Sequence, residues 1–214
     1  MAPGERNEIM IDLVSVESID FMAEFIPLDP EDNLLFMSWF NQKSKVLELQ
    51  TDPFYQPSGK LVKKLNNIKL FSDSEIKNAV KRNIHLEMDD ENLDEKARHN
   101  LFSINGKAMN MKNINQRVNK GDVEVWTVTG EMTNHPFHIH GVSFQVLTHL
   151  GEKPDEADLG WKDTVVVGGK PTKLVMRFDY EADDENPFMY HCHILEHEDG
   201  GMMGQFVVVE PDSQ

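Results

Sequence analysis

Between residues 84 and 209 the chain never sustains a helical period; it is cut into apolar runs of four to eight residues, each closed by turn residues. The runs fall at 84–88, 101–104, 123–129, 137–140, 145–149, 164–167, 173–178, 188–193 and 205–209. Short, evenly spaced strands of this kind cannot assemble a helical bundle and predict an all-β fold, an antiparallel sandwich or barrel of ~130 residues. The first ~50 residues repeat the pattern at 8–13, 19–26, 34–40 and 46–49, and residues 52–59 then gather two prolines and a glycine as linkers do. Ser72 is a candidate N-cap, and the stretch 75–82, acidic at its start and basic at its end, predicts one short helix. The expected organisation is a partial domain over 1–55, a linker with that helix over 56–83, and a complete β domain over 84–214.

Charge and composition narrow the function. Lys+Arg total 21 against 37 Asp+Glu, a formal net charge of −16, which excludes a basic nucleic-acid surface. No apolar run approaches the ~18–20 residues of a membrane span, and the opening residues do not read as a secretory leader, so the expectation is a soluble chain. The acidic runs 89–95 and 181–185 read as solvated loops. Cys192 is the sole cysteine, which rules out an internal disulfide framework.

Histidine carries the chemistry. Six of the nine lie in two windows, 135–140 (HPFHIH) and 191–197 (HCHILEH). Strand side chains alternate faces, so His138 and His140 point one way, as do His191 and His193, while Cys192 points the other. His135, at an odd offset from His138, joins the face of Cys192, and a turn after the strand can fold His197 and Met202 back onto it. One face then offers two imidazoles, a thiolate and a thioether, the ligand set of a blue-copper electron-transfer centre. The opposite face offers His138, His140, His191 and His193, an all-imidazole cluster suited to copper that binds oxygen. The peptide joining Cys192 to its neighbours would connect the two. Zinc can also use cysteine and histidine, but two opposed clusters with a methionine suit copper better. His85, His99 and His149 read as surface or core residues, and Met88, Met109, Met111, Met176 and Met189 as core filling.

With these motifs the chain resembles the last cupredoxin domain of the multicopper oxidases, the family of laccases, bilirubin oxidases and bacterial cuprous oxidases. The likeness runs from about residue 84 to 209 and implies a cupredoxin-like Greek-key sandwich, preceded by a partial cupredoxin domain and a linker. It implies type 1 copper held by His135, Cys192, His197 and an axial Met202, with His138 on type 2 copper and His140, His191 and His193 on the type 3 pair. An axial methionine implies a lower-potential blue copper than in laccases lacking one. Residues 102–107 (FSINGK) and 160–165 (GWKDTV) are similar to the cuprous-oxidase branch, and residues 3–13 to the end of the family's middle domain.

A full trinuclear cluster in the family takes eight histidines, four of them from two His-X-His motifs of a first domain. This chain holds two such pairs, so the resemblance implies one whole copper site and half of the oxygen-reducing cluster. The other half would come from a missing N-terminal cupredoxin domain, a partner chain or a second copy. Glu198 lies where the family carries an acid that relays protons to oxygen. Glu131 lies where cuprous oxidases link the substrate copper to the blue-copper histidine, and Thr133 stands where they carry a methionine. The implied reaction oxidises a phenol-like substrate or cuprous ion and reduces O2 to water. The alternatives are a stand-alone blue-copper electron-transfer module and a copper-free scaffold like the family's division-machinery members. Family analogy places such proteins outside the cytoplasm.

Overall fold

The computed structural model describes residues 2–7, 9, 11, 18–23, 43–50, 52, 66–88 and 101–211. His99, the acidic run 89–95, the runs 34–40 and most of 8–13 and 52–59 lie outside the described residues. The chain divides into two units, one of Met1–Asn7 with Ile68–Gln214 and one of Glu8–Asn67. The smaller unit carries β1 (Ser18–Ala23) paired antiparallel with β2 (Ser44–Gln50).

The larger unit is a sandwich of two five-stranded sheets. The first has the order β4-β3-β6-β10-β8, built from β3 (Val80–Met88), β4 (Phe102–Ile104), β6 (Val123–Gly130), β8 (Phe144–Thr148) and β10 (Thr172–Arg177). The second has the order β5-β12-β11-β7-β9, from β5 (Gln116–Asn119), β7 (His135–Ile139), β9 (Thr164–Val167), β11 (Phe188–Cys192) and β12 (Met203–Val209). Neighbours out of chain order give the Greek-key character expected from the resemblance. The sheets are mixed, however: β3 runs parallel to β6 and β5 parallel to β12, which corrects the expectation of a purely antiparallel sandwich.

Alternation drives the inner faces together. Ile84 and Leu86, Trp126 and Val128, and Leu174 and Met176 turn inward from the first sheet, meeting Phe137, Ile139, Tyr190, Cys192 and Phe206 from the second in one buried cluster. Each large apolar side chain so buried contributes roughly 1.5–3 kcal/mol. On the outer face of the first sheet, Val125 and Val175 pack with Ala79 beneath Ile76 of α1 (Asp73–Asn78).

Ser72 caps α1 in a capping box with Glu75. The helix does not reach residue 82, as its charge pattern predicted. It ends at Asn78 and β3 begins at Val80, because Val80 to Leu86 find a seven-residue parallel ladder with Glu124 to Gly130 of β6. Tertiary pairing overrides a weak local helix signal there.

Candidate metal centre

The two central strands of the second sheet, β7 and β11, place the chemistry. They pair antiparallel with His191 opposite His138 and Cys192 opposite Phe137. With period two, His135, Phe137 and Ile139 share the face of Cys192, while His138 shares that of His191, as the sequence predicted. After β11 the chain turns through α2 (Leu195–Asp199) and returns, with the Met202 amide donating to the His197 carbonyl and the Cys192 amide to the Met202 carbonyl. That loop brings His197 back beneath Cys192.

The inward set is tight. His135 Nδ1 and His197 Nδ1 lie 3.2 Å apart, and Cys192 Sγ is 3.6 Å from the first and 3.5 Å from the second. Donors bound at about 2.0–2.3 Å to one tetrahedral ion are themselves roughly 3.3–3.7 Å apart, so these three atoms already stand at ligand spacing. Their protons agree. His135 Nε2 donates to the Glu131 carbonyl at 3.0 Å, which leaves Nδ1 as a lone pair facing the site. All three residues are buried, and Met202 is fully buried in the same core. Gly130 makes the room: a Cβ there would lie 2.5 Å from the His135 ring.

The outward set is His138, His140 and His191, whose ligating atoms lie within 4.8 Å of one another. His140 Nε2 and His191 Nε2 are 3.1 Å apart. His138 donates through Nδ1 to the Asp163 carbonyl and His191 through Nδ1 to the Cys192 carbonyl, both at 2.9 Å, so each presents Nε2 to the cluster. His193 stands beside this trio, its ring centroid 5.5 Å from that of His191 and 5.7 Å from that of His138.

Burial suppresses charge at both sets. Loss of hydration lowers the pKa of His197 to about 4, with His135 adding to the effect, and lowers that of His140 to about 4, with His138 and His191 adding. His135 and His138 shift the same way for the same cause. Burial pushes the Cys192 thiol up to about 12. Burial thus favours the neutral, ligating form of His135, His138, His140 and His197 and holds the Cys192 thiol protonated until a metal displaces the proton.

Glu198 and Glu131 reach the site differently. A Glu198 carboxylate oxygen lies 3.4 Å from His191 Nδ1. The Glu131 carboxylate turns outward to His85 Nε2 at 3.0 Å, and it is Glu131's carbonyl that touches His135. His85 is thus tied to Glu131 and Thr129, and His149 to Asp158 and the Val166 carbonyl. Sequence reasoning missed Asp163, which holds His138 with its carbonyl while Arg6 grips its carboxylate at 2.7 and 2.8 Å. It also missed Phe102, which stacks on His197.

A family model described as multicopper oxidase matches residues 77–212. The chain belongs to the multicopper oxidase family. Among multicopper-oxidase relatives, a multicopper oxidase of Staphylococcus aureus is 32% identical over 98% of this chain and 38% of its own length. The cell division protein FtsP of Photorhabdus laumondii is 31% identical over 98% of this chain and 41% of its own. A laccase-like multicopper oxidase, CueO of an Ochrobactrum species, superposes with a TM-score of 0.71 at 30% identity, covering 90% of this chain and 42% of that one. The chain thus spans about two-fifths of the length of the curated relatives it matches. Membership implies copper, and the donor set fits it: two imidazoles with free Nδ1 lone pairs and one thiol, at ligand spacing, in a buried pocket. Among the described residues no helix is long and apolar enough to cross a membrane.

Proposed function

We propose that the chain supplies the blue-copper site and half of the oxygen-reducing cluster of a multicopper oxidase. His135, Cys192, His197 and Met202 hold type 1 copper, His138 a type 2 copper, and His140, His191 and His193 the type 3 pair. With copper bound, these residues would support one-electron oxidation of a small reducing substrate, phenol-like or cuprous, with four such electrons and four protons reducing one O2 to two waters in the completed assembly.

The observation that carries this reading is the double role of Cys192. Its Sγ belongs to the inward set, while its carbonyl accepts a hydrogen bond from His191 of the outward set. One residue therefore spans the two donor sets through covalent bonds and one hydrogen bond, a short electron path. The Glu131 carbonyl fixes His135 and the Asp163 carbonyl fixes His138, so each imidazole is pre-aimed before metal arrives. Glu198, next to His191, is placed to hand protons toward the outward set, work suited to a positioned carboxyl group. The four remaining imidazoles come from an N-terminal cupredoxin domain or a partner chain, and the family setting is extracytoplasmic.

The FtsP names favour a second reading, a structural role in cell division without oxidation. It would leave the two donor sets without a task, and their preset tautomers argue for metal. Oxygen uptake with a reductant separates the readings. The copper-loaded chain alone is expected to consume no oxygen steadily, and to do so once a polypeptide bearing the two missing His-X-His pairs is added. Sustained uptake by the monomeric chain alone, or none after complementation, contradicts the proposal.

A further inference from the structure

We infer that Phe102 is a positioning residue for His197, holding its imidazole by stacking and raising the reduction potential of copper bound to the inward set. The inference rests on the blue-copper reading above and adds to it a residue outside the ligand set.

Three observations converge on this ring. The Phe102 and His197 ring centroids lie 4.6 Å apart with planes inclined by 24°. His135, His138 and His191 are each oriented by a ring N–H donated to a main-chain carbonyl. His197 has no such anchor among the described residues, since its hydrogen-bonding contacts are those of Nδ1 with His135 and Cys192. Metal-bound histidines nearly always fix their orientation through the second ring nitrogen, and here the flat face of Phe102 takes over that task.

The third observation is the loop that receives Phe102. A Cβ at Gly200 would fall 2.2 Å from Phe102 Cδ2, and one at Gly201 would lie 3.1 Å from the Phe102 carbonyl. Gly200 has φ −77°, which any residue adopts, so its bareness serves the close approach of the ring and not the backbone. The chain between His197 and Met202 is therefore shaped around Phe102, which β4 delivers by pairing Phe102 with Met88 of β3.

The effect on potential follows from charge. With the thiolate bound, the cupric site carries one net positive charge and the cuprous site none, the difference being the single electron accepted. Water on the His197 face stabilises the charged, oxidised state, and a phenyl ring that excludes water disfavours it. His197 is left 8% exposed, and the stacked Phe102 ring is one of the groups that close its face.

The test uses the whole chain and three variants: Phe102→Ala, Phe102→Leu, which keeps apolar volume without a ring, and Gly200→Ala, which pushes the ring away. Redox titration of the copper-loaded proteins, followed at the blue band, is expected to show about a tenfold shift toward the oxidised form in Phe102→Ala. For one electron that is about 59 mV. Gly200→Ala should move the same way. In metal-free protein, His197 ring protons should lose an upfield ring-current shift in all three variants. Folded variants with wild-type potential and unshifted His197 resonances overturn the inference. If the wild-type chain takes up no copper but the metal-free shifts behave as stated, the blue-copper reading fails and the positioning role stands.

Discussion

The Nδ1 proton of His191 rests on the carbonyl oxygen of Cys192, the residue next to it, at 2.9 Å. Through that contact a single residue touches both donor sets, its sulfur turned inward with His135 and His197 and its carbonyl holding His191 of the outward set.

Replacing the sulfur should separate the two sets. Cys192→Ser is expected to abolish any intense blue absorption while leaving metal uptake by His138, His140 and His191 intact, since main-chain carbonyls, not the sulfur, set the tautomers of His138 and His191. Wild-type loading should also release about one proton per inward site, because the free thiol, pushed up to about 12, is protonated at neutral pH. Spectroscopic titration in weakly buffered solution reads both.

The metal-free fold should weaken as pH falls. The His197 and His140 rings sit at about 4 against an ordinary 6.5 because burial penalises their charged forms. Between those values the unfolded chain binds protons that the folded chain refuses, so stability is full above about 6.5 and declines toward 4. For His197 the loss, complete below about pH 4, is on the order of 3 kcal/mol. Urea midpoints at several pH values should show the decline beginning above pH 5, before most carboxylates titrate, and a flat profile there would contradict it.

Legibility in the sequence was uneven, for physical reasons. The β7 and β11 faces were readable because period two alone sorts His135 from His138 and Cys192 from His191. β5 was not: Gln116 to Asn119 reads as polar, only Val118 is buried, and the strand exists through its parallel ladder with Phe206 to Val209. Residues 80–82 carry a helix-ending charge pattern but find their partners in β6. Glu131 was singled out as an acid linking a substrate copper to the blue-copper histidine; its contact with His135 is made by its carbonyl, an atom every residue owns, while its carboxylate meets His85. Asp163 likewise serves through its carbonyl, and Phe102 through a fold-level approach to Gly200 that no local spacing announces.

A second stability prediction concerns the core. Glu124, 1% exposed, accepts from Arg82 Nε at 2.6 Å, from the other arm of that guanidinium at 2.7 Å and from Trp126 Nε1 at 2.6 Å. Glu124→Ala strands a partly buried guanidinium and a buried indole N–H, which should cost about 3–5 kcal/mol in urea unfolding. A loss below about 1 kcal/mol would show that the pair contributes little.

Glu198 should matter for oxygen and not for colour. Glu198→Gln keeps the shape of the side chain beside His191 but removes its carboxyl group, the part able to take up and release a proton. In the complemented assembly it should slow oxygen reduction by about 10²-fold with the blue band retained, measured by oxygen electrode and absorbance on the same sample.

The central claim is that the inward set is a complete blue-copper site on this chain. Copper per chain, measured on purified, copper-loaded protein beside its visible spectrum, tests it most directly. The account predicts at least one tightly held copper with an intense thiolate-to-copper band that is lost in Cys192→Ser. Protein that is folded but colourless, or blue to the same degree without Cys192, would contradict it.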